Sequence, residues 1–498
     1  MYTIGYDVGS SSVKVSILDV ETGKLVASAY SPKTEMPITA VKPGWAEQDP
    51  NMWWENLKSA TAEVLATSKV KPEKIIAIGI SYQMHGLVIV DKNKNVLRPS
   101  IIWCDSRAVE IGRDAFNSIG PEKCLSHLLN SPGNFTASKL RWVKINEPNI
   151  YEKIYKFMLP GDYIAMRLTG EIVTTESGLS EGILWDFKNN APASFLLEHY
   201  GISKELIPTV LPTFGEQGRL TESAANELGL AKGIPVTYRA GDQPNNALSL
   251  NVMEPGEIAA TAGTSGVVYG ISDTLKYDPP SRVNSFAHVN HTAEKRRIGV
   301  LLCINGTGIS NSWMRRITGQ ESVKYSELDR LASNIPIGSD GLICLPFGNG
   351  AERMLENRNI GAHILNVQFN IHTPSHLMRA VQEGIAFAFN YGINIMHEMD
   401  MKPNVMRAGQ ANLFLGPIFR ETLATVADVT IELYNTDGSQ GAARGAAYGI
   451  KYYKSREEMF KGLERLKVIE PKKADANKYA ELYNKWASML GSILQSSK

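Results

Sequence analysis

Cysteine is scarce: four in 498 residues, at Cys104, Cys124, Cys303 and Cys344, far apart and in no paired spacing. That excludes a disulfide-stapled scaffold and a thiolate zinc site, and fits a reducing cytoplasm. An excess of one charge is also missing, since 52 Lys plus Arg balance 51 Asp plus Glu with no long block of either sign. Neither a nucleic-acid duplex nor an anionic membrane surface meets its counter-charge here, so the expected partners are small molecules. No apolar run approaches the about 20 residues needed to span a bilayer. The opening "MYTIGYDVGSSSVKV" lacks a basic segment followed by an apolar core and a small-residue cleavage site, and reads as soluble and unprocessed.

What is present begins with length. A chain of 498 residues exceeds one ordinary core, and two domains of about 200 to 250 residues each are expected, with a cleft between them. The stretch "DVGSSSVK" from Asp7 follows an apolar strand and precedes "VSILDV", in which apolar and polar letters alternate at the period of a strand. The polar run therefore joins two strands. A Walker-type phosphate loop needs a Gly-Lys-Ser/Thr ending and then a helix, and neither follows here. "PNMWWENLKSATAEVLATS" from Pro50 has helical spacing, "KIIAIGISYQMHGLVIVD" reads as two strands flanking "YQMH", and "IPVTYRAGDQPNNALSL" reads as strand then helix. A hinge is expected just after it. The second half repeats the first: "EIAATAGTSGVVYGIS" is again strand, Gly/Thr/Ser turn, strand, with Gly263 lying 254 residues after Gly9. Each turn alone is ordinary turn chemistry. As a pair at domain-length separation, the two would grip a chain of phosphates from both sides.

In that order, "DVGSSSVK", "GISYQMHG", "GDQPNNA" and "TAGTSG" resemble the FGGY carbohydrate kinases, the xylulokinases most of all. The likeness runs from Tyr2 to about Tyr453 and includes "WAEQDPNMWW", "LPGDYIAMRLTGE" and "GSQGAARGAAYG". It implies an α/β fold of two duplicated ribonuclease-H-like domains, as in actin, hexokinase and the Hsp70 ATPase domain, around a central cleft. The sugar-binding domain with the first hairpin would cover residues 1–246, and the nucleotide-binding domain with the second would cover 247–498. It implies transfer of the terminal phosphoryl group of ATP to a hydroxyl of an open-chain sugar, with magnesium. A homodimer stays open.

The resemblance also assigns roles. Asp242 becomes the general base, where its residues alone also suit a helix cap. Asp7 becomes the magnesium holder, acting through water. Met84, His85 and Gln243 become sugar contacts, joined by Trp103 stacking on the sugar and Asp105 accepting a hydroxyl proton. The phosphates would meet Gly9, Ser10, Ser11, Gly263, Thr264 and Ser265, where bulky side chains would block approach. Adenosine would lie by Gly306, Gly308, Asn311, Gly409 and Asn412, where glycines admit the nucleoside to the backbone. Taken alone, Met84 and Trp103 suit a core, and His85 suits packing or the surface. Gln243 stands where an Asn is common, Cys104 also departs from the pattern, and "AGQANLF" has fewer glycines than usual. These departures touch the sugar more than the phosphates. The rival class is a nucleotide-switched binding protein of the actin or Hsp70 kind. "QMHG" and "GDQ" speak against it, and no stretch remains after about Lys451 for a peptide-binding domain.

Overall fold

In the computed structural model, which describes residues 1–496, the chain builds two sheets of matching design. The first holds β1 (Tyr2–Val8), β2 (Val13–Asp19) and β3 (Leu25–Ser31), then helix α1 (Pro50–Ser68), β4 (Ile75–Tyr82), β5 (Val236–Gly241) and helix α2 (Asp242–Ser249). Its strand order is β5-β4-β1-β2-β3. β1, β2 and β3 run antiparallel in succession, while β4 and β5 lie parallel to β1. α1 starts where the Asp49 side chain accepts the Asn51 N–H and a proline occupies its first turn, and it seats Trp53, Trp54, Leu57 and Val64 on the core. It covers the whole of the expected helical stretch.

The second sheet repeats this plan with β6 (Glu257–Ala262), β7 (Gly266–Ser272), β8 (Asn284–Ala287) and β9 (Ile298–Ile304). Helices α3 (Gly308–Ile317) and α4 (Pro374–Glu398) follow, then β10 (Val405–Gly409), β11 (Thr430–Tyr434), helix α5 (Gly438–Gly449) and β12 (Arg465–Ile469). The order β11-β10-β6-β7-β9 matches the first sheet strand for strand, with β12 and β8 added at the two edges. The pairings agree as well: β6 with β7 and β7 with β9 antiparallel, β6 with β10 and β10 with β11 parallel. The internal repeat expected from "TAGTSG" is thus a repeat of topology.

The expected pair of strands around "YQMH" is present, but they do not pair with each other. Val88–Val90 leaves the sheet and pairs with Lys156–Met158, because the turn at Met84–Gly86 redirects the chain into the segment inserted between β4 and β5. The division expected at residues 246 and 247 falls inside α2. α2 and α5 are equivalent helices, and α5 packs on the first sheet although it belongs to the second half. Thr3 and Thr237 hydroxyls donate to the Ala443 and Ala446 carbonyls at 2.9 and 2.8 Å. Gly5 and Gly79 make room for its backbone, since a Cβ there would sit 2.0 Å from the Ser439 and Ala442 carbonyl oxygens. A shared apolar cluster also ties the halves, with Met84 and Leu179 on one side and Tyr269 and Phe286 on the other. Among the described residues no helix is long and apolar enough to cross a membrane.

Candidate active site

Three carboxylates gather near the ends of β1, β5 and β11. Asp7 lies next to last in β1, Asp242 opens α2, and Asp437 caps α5. Asp7 Oδ1 accepts the Ser81 hydroxyl at 2.9 Å, and its Oδ2 would lie only 2.5 Å from a Cβ on Gly438, at the start of α5. Burial raises its carboxyl, partly opposed by the Ser81 bond and by Lys14, and the nearby Asp437 raises it further. Asp242 is half-buried. Burial and then the charge of Asp7 push its carboxyl up to about 7, against the pull of the Gln243 N–H and side-chain amide. That places it where a carboxylate can take a proton near neutrality. The cap of α2 is Gly241, with no side-chain cap bond, so Asp242 is not occupied as a cap. Asp437 escaped notice in the sequence; it accepts the Gln440 N–H and the Ser439 hydroxyl through Oδ1. The signal that could have found it is the duplication, since α5 is the copy of α2.

The two hairpins take the expected form. The first spans Gly9 to Ser12 and is closed by Gly9 N–H donating to the Ser12 carbonyl at 3.0 Å. The second spans Gly263 to Ser265, and Thr264 and Ser265 are exposed. Ser11 is exposed as well, and Ser10 accepts the Trp103 indole N–H at 3.3 Å. Trp103, with 53 % of its surface exposed, is no core residue and stands beside that first hairpin.

A cavity of about 940 Å³ opens beside the second hairpin. Gly263, Thr264, Gly308, Asn311 and Asn412 line it, with Tyr325 and Leu415 among the residues farther along. Its volume is of the size that takes a nucleoside. Gly308 meets the hairpin directly, its N–H donating to the Gly263 carbonyl at 2.8 Å. Gly409 ends β10 with open space over its α-carbon. Gly306 has a different occupation: it is buried, and a Cβ there would lie 1.4 Å from the Pro346 carbonyl oxygen, so packing alone demands the glycine.

On the first-sheet side, His85 adopts a left-handed backbone with φ of 62°. Its N–H donates to Glu181 Oε2 and its carbonyl accepts the Lys139 ammonium at 2.9 Å. Nδ1 lies 3.0 Å from the Glu181 carbonyl, which can only accept. Nδ1 therefore carries the proton, and Nε2 keeps a free lone pair. Burial, and then the charge of Lys139, hold the imidazole down at about 3, so it stays neutral. Met84 is buried beneath it, against Gly241. Lys139 also donates to the Ile102 carbonyl at 2.9 Å, clamping the "QMHG" turn to the "IIWCD" turn. Lys139 and Glu181 are buried residues that the sequence did not single out.

Asp105 does not have the freedom expected of it. It is 1 % exposed. Arg107 takes both its oxygens, with Nη2 at 2.7 Å, and the Ala46 N–H donates to Oδ2 at 2.6 Å. The Arg107 guanidinium in turn stacks over Trp45 at 3.8 Å. An acceptor so fully used shapes the loop and has no lone pair left over for a ligand.

Sheets repeated strand for strand, with carboxylates at their joined ends and a nucleoside-sized cavity on one side, can carry phosphoryl transfer. Residues 2–249 match the model of the FGGY family of carbohydrate kinases, N-terminal domain. The chain belongs to the FGGY carbohydrate kinases. It is 29 % identical to the xylulose kinase of Escherichia coli strain K12 over 96 % of this chain and 95 % of that one. It is 28 % identical to the xylulose kinase of Bacillus subtilis strain 168 over 97 % and 95 %. The crystal structure of xylulose kinase from Rhodospirillum rubrum superposes with a TM-score of 0.88 at 25 % identity, covering 99 % of both chains. This FGGY kinase is therefore a phosphotransferase acting on a carbohydrate hydroxyl, built on the two-domain sugar kinase fold.

Proposed function

We propose that this FGGY kinase transfers the terminal phosphoryl group of ATP to a hydroxyl of an open-chain pentulose, D-xylulose before others, yielding the 5-phosphate. The observation that carries the reading is the meeting of Asp7 and Asp242, with Asp242 held near neutrality, together with the cavity at Thr264 and the neutral, oriented imidazole of His85. The curated xylulose kinases to which the chain is similar along nearly its whole length support the choice of sugar.

Phosphoryl transfer needs alignment, charge compensation and a place for the nucleophile's proton. In this reading the ionised Asp242 accepts the proton as the sugar O–H bond breaks and the new O–P bond forms. The ADP oxygen departs with the electron pair of the bond to phosphorus. The hydroxyls of Ser11, Thr264 and Ser265, exposed on the two hairpins, hold the phosphate chain, with Thr264 foremost, and the cavity holds adenosine. His85, Gln243 and Trp103 hold the sugar. The residues present suit magnesium: Asp7 and Asp437 are hard oxygen donors drawn together by α5, and this small cation takes one or two carboxylates with phosphate oxygens and water. Bound there, the ion would neutralise charge on the phosphate oxygens.

A coupled assay of ADP release over a panel of ketoses, aldoses and polyols tests the reading. Stoichiometric ADP with D-xylulose, above all other sugars in kcat/KM, is expected. A higher kcat/KM for an aldose or a polyol, or ADP release indifferent to sugar, would end it.

A further inference from the structure

Gln48, in the stretch "WAEQDPNMWW" that leads into α1, is 2 % exposed and sits on a two-residue strand paired with Ser100–Ile101. Its amide is fully used. Nε2 donates to the Ser10 carbonyl at 2.7 Å and to the Pro37 carbonyl at 3.2 Å. Oε1 accepts the Trp53 indole N–H at 3.0 Å and the Gln83 amide at 3.3 Å. An indole N–H can only donate and a carbonyl can only accept, so the Gln48 amide has a single orientation that satisfies its neighbours.

Ser10 belongs to the first hairpin. In a trans peptide the carbonyl and the following N–H point in opposite directions, so drawing the Ser10 carbonyl toward Gln48 turns the Ser11 N–H away from it. The next peptide is fixed in the same manner, because the Ser11 carbonyl accepts the Met36 N–H at 2.8 Å and the Ser12 N–H is thereby aimed. Among the described residues neither of these N–H groups has a hydrogen-bond partner. Successive free N–H groups in a turn make a donor site for an anion. The same Gln48 amide also reaches the sugar side. Gln83 opens the "QMHG" turn that carries His85, and its N–H donates to the Val8 carbonyl at 2.8 Å, directly ahead of the hairpin.

We propose that Gln48 is the positioning residue of the first hairpin, setting the Ser10–Ser11 peptide so that the Ser11 N–H meets an oxygen of the terminal phosphoryl group of ATP. This rests on the reading in which two hairpins hold the phosphate chain, and deepens it. The cavity for adenosine opens beside Thr264, so the second hairpin meets the phosphates nearer the ribose. The first hairpin begins two residues after Asp7, beside the carboxylates to which that reading assigns the transfer, so it meets the far end of the chain. An N–H already aimed there has no reorganisation to undergo as charge builds on the moving oxygens. Through Gln83, one buried amide holds the phosphate hairpin and the sugar turn in a fixed relation.

The experiment measures affinity for ADP and for a non-hydrolysable ATP analogue by titration calorimetry, with kcat for the best sugar alongside, in wild type, Gln48→Met and Gln48→Glu. Gln48→Met keeps the length of the side chain and removes both amide functions. Gln48→Glu keeps the acceptor for Trp53 and sets an oxygen against the Ser10 and Pro37 carbonyls. Each should lower kcat and weaken the analogue about 10-fold, as for one lost hydrogen bond to a charged group, with ADP affinity held within about threefold. A residue that only stabilised the fold would lower the unfolding temperature without parting the two nucleotides. Should Gln48→Met misfold, Gln48→Glu decides by the same ratio. A folded variant with the wild-type analogue-to-ADP ratio, or with wild-type kcat, overturns the proposal. Thr264→Val tests the two-hairpin reading separately: wild-type affinity for both nucleotides in that variant would overturn the reading itself, and the two failures are thereby distinct.

Discussion

Asp242 shows how a residue's neighbours decide its chemistry. As a letter it suits a cap; in the fold it opens α2 uncapped, and burial with Asp7 close by lifts its carboxyl to about 7. A base must be ionised to act, so the sign is clear: kcat/KM for the sugar should rise about tenfold per pH unit below that value and level above it. Asp242→Asn should lower turnover by at least about a hundredfold and abolish this limb while leaving ATP binding nearly intact. A pH profile of wild type and variant, with ATP affinity measured alongside, checks both. An unchanged limb in the variant would remove Asp242 from the proton transfer. At this scale the sequence exposed Asp7, Asp242 and His85 because each sits in a recognisable turn. Lys139 and Glu181 were hidden because their work is done through backbone atoms of residues 54 and 96 positions away. Asp105 and Gly306 were misjudged because only packing shows that Arg107 occupies the one and the Pro346 carbonyl crowds the other.

Strands, turns and helices were the most legible level. Period-two alternation around a Gly/Ser turn marked both hairpins, and apolar spacing after Asp49 marked α1 along its full length. The strands beside "YQMH" were read correctly as strands, yet their separation into different sheets depends on the inserted segment and has no local signal. α5 is the clearest case. Its small residues look like a plain helix, but its place is against the first sheet, and the sheet's glycines answer it. Gly79→Ala would put a methyl 2.0 Å from the Ala442 carbonyl, where backbone on both sides has little room to give. Overpacking of this kind is expected to destabilise by about 1–3 kcal/mol. Differential scanning calorimetry should register a lower unfolding temperature. No change would mean that α5 is free to shift away from β4.

For the whole molecule, α2 and α5 cross between the sheets, and the apolar cluster around Met84 and Phe286 joins the halves beside His85. Water competes with the sugar for the phosphoryl group, so the halves are expected to close about this pivot before transfer. Small-angle scattering with and without sugar and a non-hydrolysable ATP analogue should give a smaller radius of gyration in the ternary state; an unchanged radius counts against closure. The sequence by itself determined the elements and their duplication, because hydrophobic period and turn chemistry are local and a repeat is visible as a repeat. It determined the family too, because four short motifs kept their order. Only the tertiary structure decided that Asp437 joins Asp7, that Asp105 is spent, and that Lys139 and Glu181 fix the turn of His85. Proton affinity and crowding are properties of what surrounds a group, and those surroundings are assembled by the tertiary fold from segments that are not neighbours in the sequence.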